Sequence, residues 1–223
     1  MKAKVVTPKF SLICPTKDRP EMLLEAIAAL RAQDFEGWEL IIQDGGASVE
    51  SILPADSRIK YMRQEDPLDR RGNAALMSAQ GDILNFHADD DTLRPGALSH
   101  VAGAIGNHKW MYGLIKAVPY GWTMGAAWDY ERLKRENFVP APAVFWTRNA
   151  RDRVGGWDLG SPRAHDWDYW LRLGARWEPL FTPHILANYR IHPESATSMM
   201  TKEFTDEQDE IIRERARSGY YKV

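Results

Sequence analysis

An α/β fold built on a mostly parallel sheet follows from three features of the sequence. Short apolar runs alternate with amphipathic stretches through the first hundred residues, Pro15, Asp44 and Asp89 stand at or just past the ends of three of the runs, and the intervals suit helical crossovers rather than hairpins. At 223 residues, 44% of them hydrophobic, the chain can bury a full core as one domain.

Phe10-Ser11-Leu12-Ile13-Cys14-Pro15 reads as a buried strand, and Pro20 opens a helix whose Leu23, Ile27 and Leu30 share one face. A second strand, Trp38 to Gln43, ends at Asp44-Gly45-Gly46, where the glycines are expected to supply the positive φ of a tight turn. Arg58 to Met62 is a short third strand. Asn73 to Gln80 is an alanine-rich helix leading into the strand Gly81 to Phe86, and Pro95 opens another helix. Pro15, Asp44 and Asp89 thereby fall at carboxyl ends of strands, where open α/β sheets bind ligands.

Beyond residue 100 the pattern weakens. Lys109 to Gly113 and Pro142 to Trp146 read as strands, Ala117 to Asn137 as an aperiodic surface excursion, Asp166 to Arg176 as a helix, Phe181 to Ile191 as extended, and Thr205 to Arg217 as a charged helix. Eight of the nine tryptophans lie from Trp110 onward; such density suits core packing, with a sugar- or lipid-binding cleft as the alternative.

A net charge of −2 gives no electrostatic footprint for nucleic acid. The lone Cys14 cannot form an intramolecular disulfide, and neither a signal peptide nor a bilayer-spanning run is evident, so the cytoplasm is the expected compartment. Asp89-Asp90-Asp91 is the most informative cluster: adjacent carboxylates either form a solvated turn before Pro95 or gather a divalent cation.

Six segments taken in order resemble the family 2 glycosyltransferases, nucleotide-sugar enzymes of the GT-A fold. Pro15-Thr16-Lys17-Asp18-Arg19-Pro20 is similar to the family's opening after strand one, and Asp44-Gly45-Gly46-Ala47-Ser48 to its aspartate turn. Asn73 with Ala79-Gln80-Gly81-Asp82 follows, with Ala75 where glycine is usual. His87-Ala88-Asp89-Asp90 resembles the metal motif, with His87 in place of its first Asp. Val154-Gly155-Gly156-Trp157-Asp158 with Ala164 to Leu173, and then Tyr189-Arg190-Ile191-His192, complete the set; His165 stands where the family has Glu.

The resemblance implies one GT-A domain over 1–223, a single Rossmann-like sheet flanked by helices: about 1–100 the nucleotide-sugar half, about 101–198 a less regular acceptor half, and 199–223 a helical tail. It implies donor contacts from Pro15, Thr16, Asp18, Arg19, Asp44, Gly45, Asn73, His87, Ala88 and Asp89, with Asp44 accepting from a uracil base. Mn²⁺ or Mg²⁺ is expected on Asp89, with His192 and Asp90 as further ligands, and Asp166 is expected to be the base of an inverting transfer. From the residues alone, Asp44 reads equally as a turn cap, Arg19 as a surface charge, Arg190 as a partner of an acid, His192 as structural and Asp166 as a helix N-cap.

The implied partners are a nucleotide-sugar donor, a UDP-sugar above others, and a saccharide or lipid-linked acceptor in bacterial surface polysaccharide synthesis at the inner face of the membrane. Tyr120, Trp122, Trp128 and Tyr130 are expected to shape the acceptor cleft. The last helix, with Arg213, Arg215 and Arg217 among many acids, reads as a solvated or dimer-forming face, with peripheral membrane contact as the alternative. Two rival readings are a sugar-phosphate nucleotidyltransferase, whose Gly-rich opening is lacking between Pro15 and Pro20, and a non-catalytic binding module of the same fold.

Overall fold

The computed structural model describes residues 9–64, 68–158, 164–195 and 197–221, and for residues 68–71 the backbone alone. Four parallel strands form its first half: β1 (Phe10–Thr16), β2 (Trp38–Asp44), β3 (Ile59–Arg63) and β4 (Ile83–Phe86), side by side in the order β3-β2-β1-β4. Every residue of β1 and β2 is buried, as a strand covered on both faces must be.

The two faces can be read directly from alternate residues. Leu12, Cys14, Leu40, Ile42 and Ile83 pack beneath α1 (Pro20–Arg31) and α3 (Ala97–Ala104), meeting Leu23, Ile27, Leu30, Leu98 and Val101. Ile13, Ile41 and Leu84 pack on the opposite side against α2 (Leu68–Ser78) and α6 (His165–Gly174). Pro20 sits at N1 of α1, where its missing N–H is not needed, and Glu21 and Arg31 complement the helix dipole. The α2 helix begins five residues before the expected Asn73.

The second half extends the sheet. β8 (Val144–Thr147) inserts antiparallel beside β4, then come β6 (Trp110–Val118), β9 (Leu180–Arg190) and the two-residue β5 (Thr92–Leu93). β6 and β9 run parallel to each other, whereas β8 and β5 are antiparallel to their neighbours. β6 extends five residues beyond the expected Gly113, and Pro142 and Ala143 belong to a 3₁₀ turn before β8.

The excursion from 117 to 137 contains more order than its sequence signals. β7 (Thr123–Met124) folds back on β6, and Asp129 caps the short α4 (Tyr130–Leu133) by accepting from the Arg132 N–H at 2.9 Å. α5 (Arg148–Val154) is capped in the same way by Thr147, which accepts from the Ala150 N–H at 3.1 Å.

Most of the tryptophans are core. Trp38, Trp110, Trp146, Trp167 and Trp170 are fully buried, with Trp110 and Trp170 stacked at 6.2 Å between ring centroids. The closing helix α7 (Lys202–Ser218) starts three residues before the expected Thr205 because Thr201 caps it, accepting from the Phe204 N–H at 3.2 Å. One stripe, Gln208 and Ile212, is buried, and Arg213 donates to the Arg135 carbonyl at 2.9 Å, so this helix lies against the domain.

Candidate active site

The aspartate cluster lies just beyond β4, where the parallel half of the sheet presents its carboxyl ends. Thr16, the last residue of β1, donates its hydroxyl to Asp89 Oδ2 at 2.7 Å. Arg19 follows one turn later, at the N-cap of α1, and bridges two carboxylates. Its Nε donates to Asp89 Oδ2 at 3.2 Å and its Nη1 to Asp90 Oδ2 at 2.7 Å. Nη2 lies 2.6 Å from Asp89 Oδ1, an ion-pair contact outside hydrogen-bond alignment.

From the far side of the sheet β9 delivers the rest. His192 Nε2 lies 3.2 Å from Asp90 Oδ2, the Arg190 N–H donates to Asp91 Oδ1 at 2.9 Å, and Arg190 Nε donates to the Asp90 carbonyl at 3.1 Å. The Arg190 guanidinium also pairs with Glu25 of α1. The three aspartates thus have separate environments. Burial pushes the Asp89 carboxyl up to about 6 against the pull of Arg19 and Thr16, and burial drives Asp91 well above the usual carboxylate range, aided by its charged neighbours Asp90 and Asp89. Asp90, with a side chain 13% exposed, is the member that meets solvent, in a cleft shared with Thr92, Val118, Asn188 and Arg190.

Several expected donor contacts have other partners. His87 is 1% exposed and lies against the Ala26 carbonyl of α1, its Nε2 without a partner; burial lowers its pKa to about 4, so the ring is neutral. Asn73 donates to the Trp157 carbonyl at 2.9 Å and accepts from the Trp157 N–H at 2.7 Å, clamping the Gly155-Gly156-Trp157 turn to α2. A Cβ on Gly156 would stand 2.3 Å from Asn73 Oδ1, which explains the glycine.

Asp44 is fully buried and accepts from the Gly46 N–H at 2.8 Å, the Val49 N–H at 3.2 Å and the Tyr61 hydroxyl at 2.8 Å. Its carboxylate organises the turn after β2. The expected positive φ at Gly45 and Gly46 is not found; the left-handed residue is Asp18, at φ 55, whose Oδ1 accepts from the Ala47 N–H at 2.9 Å. Gly46 is glycine because a Cβ there would stand 2.3 Å from Asp18 Oδ1 and 2.8 Å from its backbone nitrogen. Gly45 donates its N–H to the Thr16 carbonyl at 3.0 Å, Pro15 pairs with Gln43 within the sheet, and the Ala88 carbonyl accepts from the Asp91 N–H at 3.3 Å.

Asp166 is the second residue of α6, whose N-cap is Ala164 and not Asp166; its Oδ1 accepts from the Trp167 N–H at 2.7 Å and its Oδ2 from Asn137 Nδ2 at 3.1 Å. Tyr189 links it to the cluster: burial raises the phenol pKa, and the charges of Asp91, Asp90 and Asp166 all act in the same direction. Of the four aromatics expected in the acceptor cleft, Tyr120 and Trp122 are exposed on the β6–β7 hairpin, while Trp128 and Tyr130 pack together and Trp128 closes edge-on against Trp110. Tyr61 and Asn137 carry no motif; only the folded chain brings them to Asp44 and Asp166.

Among the described residues no group of three or more His, Cys, Asp or Glu side chains could hold a metal ion. Asp90 and His192 nevertheless fit one as a carboxylate–imidazole pair of the kind Mn²⁺ accepts, and such cations are commonly held by one or two protein ligands completed by phosphate oxygens. Asp89 is the third candidate, presently engaged by Arg19.

The family model for glycosyl transferase family 2 matches residues 11–146. A GalNAc(5)-diNAcBac-PP-undecaprenol beta-1,3-glucosyltransferase of Campylobacter jejuni is 36% identical over 102 residues, a match covering 41% of this chain and 33% of that protein. A PGL/p-HBAD biosynthesis glycosyltransferase of Mycobacterium tuberculosis is 24% identical over 217 residues, covering 90% of this chain and 84% of that one. In solved structures, S. aureus TarS bound to UDP-GlcNAc matches 92% of this chain with 65% of its own, at TM-score 0.74 and 16% identity. A Pyrobaculum calidifontis mannosyltransferase in complex with GDP-Man and Mn²⁺ matches 86% of this chain with 59% of its own, at TM-score 0.63 and 14% identity. At those identities the likeness is one of fold, the expected GT-A architecture.

Proposed function

Because the chain belongs to glycosyltransferase family 2, we propose that it transfers a sugar from a nucleotide diphosphate sugar, a UDP-sugar first, to a hydroxyl of a saccharide or lipid-linked acceptor, with inversion at the anomeric carbon. One observation carries the reading. Thr16, Arg19 and His192, from the ends of β1 and β9, gather the carboxylates of Asp89 and Asp90 where the parallel strands end.

Inverting transfer requires groups on opposite faces of the donor sugar. On one face Asp166 takes the proton of the acceptor hydroxyl as that oxygen attacks the anomeric carbon, and the bond to the diphosphate breaks on the other. Asn137 and the Trp167 N–H hold the Asp166 carboxylate without neutralising it. Arg19 and Arg190 supply fixed positive charge near the leaving group. Asp90 and His192, with Asp89, would hold Mn²⁺ or Mg²⁺, which when bound would supply positive charge against that developing on the departing diphosphate.

The Campylobacter relative is named for a PP-undecaprenol-linked glycan, which supports a lipid-linked acceptor; surface polysaccharide synthesis at the cytoplasmic face of the membrane is the setting proposed for it. No helix among the described residues is long and apolar enough to cross a membrane, and the exposed Tyr120 and Trp122 on the β6–β7 hairpin suit an acceptor sugar.

Incubation with UDP-sugars and Mn²⁺ tests the proposal. Slow UDP release that requires the cation, and a product of inverted anomeric configuration by NMR, is the expected result. Retained configuration would remove the single-base mechanism, and no release from any UDP- or GDP-sugar would remove the activity.

A further inference from the structure

We propose that Arg19 is the resident counter-ion of the Asp89–Asp90 pair and excludes a divalent cation until a nucleotide diphosphate arrives to take the guanidinium in exchange. The inference rests on the donor-site reading above and deepens it: metal and nucleotide bind as a coupled pair.

The argument begins with charge. Asp89 and Asp90 are adjacent, and the Asp89 side chain has no exposed surface. A buried carboxylate with a charged neighbour needs a cation, and Arg19 serves both, with contacts of 2.6 Å to Asp89 and 2.7 Å to Asp90. Those oxygens are also the ones a divalent ion would use. While the guanidinium stays, an incoming cation finds Asp90 Oδ2 already shared between Arg19 and His192, and meets the repulsion of a fixed positive charge.

The geometry also permits the exchange. Arg19 is the N-cap of α1: its carbonyl accepts from the Leu23 N–H at 3.1 Å and Pro20 follows it, so its backbone is anchored while the long side chain spans to the cluster. Its side chain is 22% exposed, so the guanidinium reaches solvent on one side. A phosphate group, like a carboxylate, presents two oxygens that the planar guanidinium can pair with in bidentate fashion. Once a diphosphate takes the guanidinium, Asp90 and His192 are left as the protein's pair for the metal, to be completed by phosphate oxygens. Because coupling is reciprocal, nucleotide strengthens metal binding by the same factor that metal strengthens nucleotide binding.

Mn²⁺ binding to the donor-free protein, followed by electron paramagnetic resonance, reads this directly and needs no turnover. Arg19→Gln should bind Mn²⁺ about tenfold or more tighter than the wild type without nucleotide, because a repelling charge next to the ligands is gone. Arg19→Lys, which keeps the charge, should stay near the wild type. In the wild type, UDP should tighten Mn²⁺ binding, and that gain should shrink in Arg19→Gln. Unchanged or weaker Mn²⁺ binding in folded Arg19→Gln, or an equal gain in Arg19→Lys, overturns the proposal. Failure of the transferase reading looks different: UDP-sugars would then bind none of the three proteins, with the donor-free Mn²⁺ comparison still readable.

Discussion

Asn137 Nδ2 donates to Asp166 Oδ2 at 3.1 Å, joining the end of the β7–α4 excursion to the first turn of α6. The bond aims one carboxylate oxygen while the Trp167 N–H holds the other at 2.7 Å. Two donors on separate oxygens fix the direction of the carboxylate.

Removing the carboxylate and removing its aim should therefore differ. Asp166→Asn is expected to lower kcat by roughly 10² to 10⁴ while leaving UDP binding intact, as loss of a general base does. Asn137→Ala should lower kcat less, with the donor KM unchanged and Asn137→Ser recovering part of the loss. Steady-state kinetics with calorimetric UDP titrations check both, and full activity in Asp166→Asn would move the base elsewhere.

On the donor side, Asp89→Ala should abolish the part of UDP binding that depends on Mn²⁺, and removing the cation with a chelator should do the same to the wild type. His87→Ala should behave otherwise. Its ring is buried against α1 rather than open to the cleft, so the variant should lose stability by about 1 to 3 kcal/mol in urea denaturation while the folded fraction keeps its Mn²⁺-dependent UDP binding. Equal loss of metal-dependent binding in the two variants would return His87 to the site.

The sheet and the site differ in how far the sequence reveals them, for a physical reason. Strands covered on both faces must be apolar throughout, so β1 and β2 stand out as continuous runs, and α1 shows its buried stripe of Leu23, Ile27 and Leu30. β5 and β7 have two residues each and exist only through pairing with β9 and β6, a long-range relation with no local periodicity. Motifs likewise fix position along the chain but not orientation. His87, Asn73 and Asp44 all occupy their motif positions, yet α1, Trp157 and Tyr61 decide what their side chains meet. The turn after β2 makes the same point: its two glycines suggested positive φ, but the left-handed residue is Asp18 in the neighbouring loop.

Glu39 gives the fold a pH dependence whose sign can be worked out. It is buried on β2, and burial alone would raise its pKa; the opposing bonds from Lys60, Ser11 and the Gln80 N–H outweigh that and hold the carboxyl below its ordinary 4.5. A folded-state pKa below the unfolded one means the stabilisation is present above pH 4.5 and disappears as pH falls through the folded value. Glu39→Gln should melt lower than the wild type at pH 7, and the gap should narrow steadily below pH 4.5. A gap that stays constant down to pH 3, roughly a unit below the usual carboxylate value, would assign the loss to packing instead.

The last prediction concerns how α7 supports the base. Asp168, fully buried two residues after Asp166, accepts from Arg172 Nε at 2.8 Å, from the Tyr221 hydroxyl at 2.9 Å and from Arg215 Nη1 at 3.3 Å. Arg215 also reaches Asp158 at 2.6 Å, so residues beyond α7 and on it converge on one carboxylate of α6. Burial, with Asp168 adding to it, drives the Tyr221 phenol upward, so it remains a donor at neutral pH. Tyr221→Phe removes one bond to a buried anion and should cost about 1 to 3 kcal/mol in urea denaturation. Asp168→Ala strips the two arginines of a shared partner and should cost more, about 3 to 5 kcal/mol. Both should speed amide exchange in α7 and in the first turn of α6, and kcat should fall with the donor KM held, because Asp166 sits on that turn. Unchanged exchange in α6 would mean that the closing helix covers the domain without holding the base.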